Sequence, residues 1–421
     1  MDSLIVYLND IPVGRLTDDG KAISFAYDRA YAADMRNEPL SHAIPLSSEP
    51  FGPEVMEPFL SGLLPEDIIR TRLGRILQIP RDNTFAFLKA IGGDCAGAIA
   101  FHPEGVCPQF GVPRFRRLSD AEAGAILDAL PKRPLSIGED GFRISGAGAQ
   151  DKLIACWKAG AVELPLDGTP STHIIKTAIP DYPDSVENEC YSMWLAKACG
   201  LSCAKCSIAV IGGRRRYVCE RFDRIEEDGR VRRLHQEDFC QLLHVDPKRK
   251  YEALGGPGIA ASMALMRELS LSASDTLEFL RRIVFAFLLG NGDAHGKNYS
   301  VLYRGRTVAL SPMYDIMSTA VYPEVSARMA MKIDGEYAFR WITRTKFLRM
   351  AEKLGISPRT MDKEIRRLQK RIEKHAPEVA ERLSARFPSP CYGRIVDGIL
   401  RRCGQLEDKS VPAAIDTRRG I

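Results

Sequence analysis

The stretch Thr276–Ser318, TLEFLRRIVFAFLLGNGDAHGKNYSVLYRGRTVALSPMYDIMS, decides the reading of this chain. Its first fifteen residues carry apolar side chains densely enough for a buried or half-buried helix. GNGDAHGKNYS is too rich in Gly, Asn and Asp to continue that helix. VLYRG and RTVALSP read as two short strands turning at Gly305, and MYDIMS closes the segment. Asp293, Asn298 and Asp315 therefore fall on loops at the ends of apolar elements. Asp293 to Asn298 has the Asp-x-x-x-x-Asn spacing of a kinase catalytic loop, and an acidic residue beyond a following hairpin can supply a second metal ligand. The chemistry needs one carboxylate to orient an attacking hydroxyl, with an amide and a second carboxylate to hold Mg²⁺ against phosphate oxygens. Spacing alone leaves a second reading open, because Asp and Asn are also ordinary turn formers.

Composition sets the outer limits. The chain has 421 residues, 45% of them apolar, which suits two or three domains with buried cores rather than disorder. No run has the length of apolar sequence that spans a bilayer, and MDSLIVYLND lacks the basic start and cleavage site of a signal peptide, so a cytoplasmic protein without membrane partners is expected. Eleven cysteines over this length do not make a disulfide scaffold. Cys203-Ala-Lys-Cys206 has no second thiol or histidine pair nearby, so reduced thiols are expected rather than a zinc or redox site. The net charge of +5 is uneven: residues 341–421 hold 19 Lys or Arg against 10 Asp or Glu, which leaves −4 in the first 340. That basic end, with helical stretches such as TMDKEIRRLQKRIEKHA, reads as a solvated face or as a surface for nucleic acid.

The chain opens with three strand candidates, SLIVYLN, IPVGRLT and KAISFAYD, separated by Asn-Asp and Asp-Asp-Gly turns. MEPFLSGLLPEDIIRTRLGRIL reads mainly as helix, with Pro65 placed to start its second part. NTFAFLKAIGGDCAGAIAFHP ends in a glycine-bounded strand. The expected organisation is an α+β module over 1–105 that looks like a packing or recognition appendage, a strand-rich lobe over 106–235 and a helical lobe over 236–421. The Pro- and Arg-rich PEGVCPQFGVPRFRRLSD marks the first boundary. SGAGAQDK lacks the pattern of a dinucleotide fold or a Walker loop. Its small residues still make a loop whose main-chain donors can approach phosphates, which singles out Ala147, Gly148, Ala149, Gln150 and Lys152.

Lys176 follows HII in a probable strand, either reaching inward to ATP phosphates or lying at the surface. Glu189, on the succeeding helix SVENECYSMWLAKACG, can orient Lys176, although Glu187 is a neighbour and the register is open. Glu220 and Phe222 end the RRRYVCE strand. Their main chain can meet an adenine edge with Phe222 on the ring, or Phe222 can be core beside a solvated charge cluster.

In this order the landmarks resemble those of the HipA-like serine/threonine kinase toxins over nearly the whole chain: FLSGLLPE (59–66), AIGGDCAGAI (90–99), ISGAGAQDK (144–152), STHIIK (171–176), ENECYSMWLAK (187–197), ERFDR (220–224), GDAHGKN (292–298) and PMYDIMS (312–318). The resemblance implies a divergent two-lobed protein-kinase-like fold with an added N-terminal α+β subdomain and a mostly helical C-lobe. It implies ATP and Mg²⁺ as cofactors, with Lys176 on the phosphates, the Glu220–Phe222 segment on adenine, Asp293 as catalytic aspartate, and Asn298 and Asp315 on the metal. It also implies autophosphorylation of Ser145, a small helix-turn-helix HipB-like antitoxin that carries the complex to operator DNA, and an aminoacyl-tRNA synthetase as protein substrate.

One departure concerns the catalytic loop. Family members often carry Asp-Gly-His-Ala-Lys-Asn, whereas this chain has Asp293-Ala294-His295-Gly296-Lys297-Asn298, which moves the residue able to adopt positive φ. His295 is expected to shape the loop, and Lys297 to assist with the transferred phosphate behind Asp293. Two other functions compete: a small-molecule kinase, which the Ser145 loop and the N-terminal module disfavour, and a transcriptional co-repressor whose basic C-terminal surface contacts DNA.

Overall fold

The computed structural model describes residues 2–106, 108, 113–136, 143–305 and 307–407. Part of the Pro- and Arg-rich connection and the last residues of the basic end lie outside the described residues. Both turn signals near the start are used. Asp2–Leu8, Ile11–Asp18 and Ile23–Tyr27 form an antiparallel meander, and Ile99–Pro103 joins at its edge. Leu4, Val6 and Leu8 alternate inward, as a strand with one buried face requires. The helical stretch behind them breaks in two, Pro53–Gly62 and Asp67–Leu77. Pro65 does not start the second helix: it lies in an extended linker that forms a parallel bridge to Gly148, and Glu66 is the capping residue.

A six-stranded antiparallel sheet follows, in the spatial order Arg114–Arg117, Ala161–Leu166, Lys152–Lys158, His173–Lys176, Arg214–Glu220 and Cys206–Ile211. Its apolar face shares one core with the N-terminal module, in which Leu4, Phe59 and Leu88 join Leu153, Ile175 and Val218. The helix Ser185–Ala198 crosses behind this sheet and is buried along most of its length, including Glu187 and Glu189. A helix apolar or buried nearly all round must be covered on both sides. Its second partner is the helical lobe, where Tyr191 and Leu195 pack with the core of Ala273–Leu289, Pro358–Ser384 and Cys391–Gln405.

The central helix Ala273–Leu289 begins with a Ser272–Asp275 capping box and ends at Gly290 in the left-handed conformation. The chain then enters the loop at 291–299 and the strands Ser300–Arg304 and Thr307–Leu310, with Gln236–Asp238 as third strand. The Ala–Gly exchange does not install a left-handed turn, since neither Ala294 nor Gly296 has positive φ. Glycine at 296 answers a packing need instead: a Cβ there would stand 2.7 Å from Pro257 Cγ and 2.9 Å from Cys240 Sγ. Among the described residues, no helix is long and apolar enough to cross a membrane.

Candidate active site

Every site residue singled out from the sequence lines one cleft of about 1120 Å³ between the six-stranded sheet and the helical lobe. Lys152 and Lys176 are direct cross-strand partners on adjacent strands. Like charges so placed repel, and the surroundings answer this with carboxylates. Lys176 Nζ donates to Glu189 Oε1 at 2.6 Å and also to Asp315 Oδ1. Burial opposes the Lys176 charge, but Asp315 and Glu189 outweigh it and raise its pKa above the ordinary lysine value. Asp315 in turn is held well below the carboxylate range, first by Lys176. Lys152, half-buried and cross-strand from Lys176, falls to about 8, through desolvation first and the Lys176 charge second. The helix register left open by the sequence is thereby decided: Glu189 faces Lys176, and Glu187 pairs with Arg215 at 2.7 Å.

The loop at 145–151 lies over the lysines. Lys152 Nζ donates to Ala147 O, Gly148 sits at φ +101°, and Gln150 Nε2 donates to Thr177 O at 3.1 Å. Ser145 is turned inward, 2% exposed, with its Oγ donating to Leu63 O at 2.6 Å. At the cleft's far wall, Phe222 is half-buried and packs its ring on Tyr314 with centroids 5.1 Å apart. The Glu220 N–H is committed to Lys205 O at 2.8 Å, and its carboxylate pairs with Lys205 Nζ at 3.1 Å.

Asp293 opens on the cleft with about half of its side chain exposed, 51%. Its main-chain N–H is fixed by Asn291 Oδ1 at 2.9 Å, and its Oδ1 accepts from the Tyr251 hydroxyl. Its position deep in the cleft pushes its pKa up to about 6 against the Tyr251 hydrogen bond, and the Asp315 charge adds to the rise. Asn298 lies beside Asp315, Nδ2 to Oδ2 3.4 Å, and its Oδ1 accepts from the His295 N–H at 3.2 Å. Asp315 holds φ +57°, a conformation that aspartate tolerates better than most residues and that recurs at functional positions. An amide and a carboxylate side by side are hard oxygen donors of the kind Mg²⁺ takes, with phosphate oxygens and water completing the shell. The donor set fits the ion.

His295 is neutral, since burial depresses its pKa to about 3, and its ring meets Tyr251 edge-on at 5.0 Å. Its main-chain bond to Asn298 shapes the loop. Lys297 is turned away from the open cleft: its ammonium donates to Asp238 Oδ2 at 2.6 Å and to Gly62 O at 3.3 Å.

Four residues of this site were not found by reading the sequence. Tyr251, Lys250 and Asp238 belong to no motif, and Glu66, although part of FLSGLLPE, reads as a helix-start acid. Glu66, Gly62, Ile68 and Arg72 all line the cleft, so the N-terminal module is a wall of the active site rather than an appendage.

Comparison with known proteins agrees with this geometry. The HipA N-terminal domain model matches residues 4–102, and the HipA-like C-terminal domain model matches residues 144–376. The putative kinase Y4mE of Sinorhizobium fredii is 42% identical over 328 residues, 76% of this chain and 78% of that protein. The serine/threonine-protein kinase toxin HipA of Shewanella oneidensis is 32% identical over 391 residues, 90% of this chain and 89% of that one. A solved complex of Shewanella oneidensis MR-1 HipA, HipB and operator DNA contains a chain that superimposes with a TM-score of 0.81 at 28% identity, covering 96% of this chain and 97% of that chain. With both lobes matched and the strand lysine, helix glutamate and catalytic loop converging on one cleft, this chain belongs to the HipA-like family, the ATP-dependent serine/threonine kinases that act as toxins of toxin–antitoxin pairs.

Proposed function

We propose that this kinase phosphorylates a serine in the flexible nucleotide-binding loop of an aminoacyl-tRNA synthetase, and that a small HipB-like helix-turn-helix antitoxin neutralises it and carries it to operator DNA. The observation that carries the catalytic reading is Lys176 held between Glu189 and Asp315, with Asp293 and Asn298 in the same cleft. In this reading Asp293 orients the attacking hydroxyl and takes its proton. Lys176 neutralises the phosphates, and the Ala147–Lys152 loop covers them with main-chain donors and the Lys152 ammonium. The Glu220–Phe222 segment receives adenine. Asn298 and Asp315 hold Mg²⁺, which when bound offsets the charge of the triphosphate. Transition-state charge stabilisation by these fixed groups supplies much of the rate.

A flexible target loop suits the cleft because the acceptor hydroxyl must leave its resting place and align beside Asp293. Quantitative phosphoproteomics after brief expression, with an Asp293→Ala control, is expected to show one strongly enriched synthetase phosphosite before growth arrest remodels the proteome. A rapid, Asp293-dependent modification confined to an unrelated protein, with reconstituted synthetases untouched, would overturn the target. The solved relative with HipB and operator DNA supports the partner reading. Co-expression of the neighbouring small DNA-binding protein should suppress toxicity, and a mobility shift on operator DNA should require both proteins, with base-specific contacts made by the antitoxin's recognition helix.

Ser145 is the proposed autophosphorylation site. Its hydroxyl is buried against Leu63 O, so the loop must turn out before phosphate can be accepted. A phosphate adds about −1.5 to −2 charge and three acceptors, which the Leu63 carbonyl repels, so the modified loop cannot return. Loss of the phosphate cradle should then silence the enzyme. Incubation with Mg-ATP followed by peptide mass spectrometry should place phosphate on Ser145 and leave Ser145→Ala active and unmodified. An unmodified Ser145 in enzyme that is phosphorylating another protein would remove this control.

A further inference from the structure

Residues Gly62–Glu66 form a bracket between two loops of the site. Leu63 O accepts from Ser145 Oγ at 2.6 Å, and Glu66 N–H donates to Gly148 O at 3.1 Å, so the linker grips the loop over the phosphates. Gly62 O accepts from Lys297 Nζ at 3.3 Å, so the same linker grips the catalytic loop. The Glu66 side chain completes the tie. It is 7% exposed, its Oε2 accepts from Lys250 Nζ at 2.7 Å, and its Oε1 stands 3.8 Å from Lys297 Nζ. Lys250 precedes Tyr251, whose hydroxyl donates to Asp293.

The charges explain why this carboxylate matters. Lys250 and Lys297 face two carboxylates, Glu66 and Asp238, and the four balance. Neutralising Glu66 leaves one ammonium in excess, and Lys250 is next in the chain to Tyr251, the residue bonded to the half-exposed Asp293 carboxylate. Lys250 is the freer of the two, because Lys297 keeps Asp238 at 2.6 Å. A part-buried ammonium that loses its partner seeks another anion, and Asp293 lies in the same cluster. An ion pair there would occupy the oxygen that the acceptor hydroxyl needs.

We propose that Glu66 is a positioning residue of the phosphoryl-transfer site, the carboxylate by which the N-terminal module restrains Lys250 and Lys297 and keeps Asp293 open to the acceptor hydroxyl. Both Glu66 oxygens face ammonium groups, Oε2 that of Lys250 and Oε1 that of Lys297. Glu66 acts through Lys250. The inference rests on Asp293 as the acceptor-side carboxylate, and it gives the N-terminal module a part in catalysis beyond packing.

The test measures single-turnover transfer of labelled γ-phosphate to dephosphorylated casein at saturating Mg-ATP, with Mg-ATP affinity and melting temperature alongside. Glu66→Gln should bind Mg-ATP within about threefold of the parent but transfer about 100-fold more slowly, the scale of a misplaced catalytic group. Adding Lys250→Met removes the competing ammonium, so the double variant should recover at least about tenfold over Glu66→Gln. A purely structural clamp predicts the opposite order, with the double variant slowest. Glu66→Gln at the parent rate, or a double variant no faster than Glu66→Gln, overturns the proposal. If Glu66→Gln melts below the assay temperature, Glu66→Asp carries the test: it keeps the charge and should transfer within about tenfold of the parent, and a loss near 100-fold would overturn the role. Asp293→Ala in the same assay separates the two readings, because full transfer by that variant refutes the Asp293 assignment whatever Glu66 does.

Discussion

Asp293→Ala is expected to lower phosphoryl transfer by about 10³-fold or more while leaving the fold intact, because in the proposed mechanism it removes the group that orients and deprotonates the acceptor hydroxyl. The side chain is half exposed and its only side-chain hydrogen bond among the described residues is to Tyr251, so little packing is lost. Asp315→Ala should be as damaging by a different route. It removes a carboxylate from the proposed metal pair with Asn298 and takes one carboxylate partner from Lys176. The signatures differ accordingly: Asp293→Ala should bind Mg-ATP normally, and Asp315→Ala should lose the Mg²⁺ dependence of nucleotide binding. Expression of either variant should no longer arrest growth. Ordinary Mg²⁺-dependent turnover by purified Asp315→Ala would exclude the metal assignment.

The largest effect on stability is expected behind the Ser145 loop, at Asp94. This carboxylate is 1% exposed and is surrounded by three guanidinium groups, Arg224 at 2.9 Å, Arg233 at 3.0 Å and Arg221 at 3.5 Å. It also accepts from Ser171 N and Oγ, and its main-chain O accepts from Ser145 N at 3.0 Å. Burial alone would raise its pKa, but the three arginines outweigh burial and hold it well below the ordinary carboxylate range. Asp223 is the other buried anion of the cluster, bonded to Arg221 at 2.7 Å and to Gly97 N–H at 2.8 Å. Asp94→Ala would leave three buried cations against one carboxylate and take the acceptor from the Ser171 O–H, which should cost about 3–5 kcal/mol. Asp94→Asn keeps an acceptor for Ser171 and should cost less. Denaturant unfolding measures both, and a cost below about 1 kcal/mol for Asp94→Ala would mean that the arginines find solvent or other anions. Because the cluster ties residues 94–97 to the strand end that carries Phe222, activity should be lost well before the fold in partly destabilised variants.

Much of the architecture was legible in the residues. The apolar density of 276–290 dictates a buried helix, the Gly, Asn and Asp content of 290–298 stops it, and alternation with turn residues sets the opening strands. These are local properties: side-chain periodicity and φ preference act over a few residues, and they can be read without knowing what lies across the core. The order of the landmarks was legible too, and with it the family. What local pattern cannot carry is which groups meet. Glu187 and Glu189 sit on one helix, and only the crossing of that helix behind the sheet turns Glu189 to Lys176. Lys176 meets Asp315 across 139 residues, Glu66 meets Lys250 across 184, and Tyr251 meets Asp293 across 42. Nor does local pattern show that the Lys297 ammonium meets Asp238 and Gly62 O, or that the Ser145 hydroxyl meets Leu63 O. The sequence by itself determined the elements, the fold class and the family. The tertiary structure alone decided the pairing of buried charges, because desolvation demands a partner for each and only the packed chain shows which partner lies within reach.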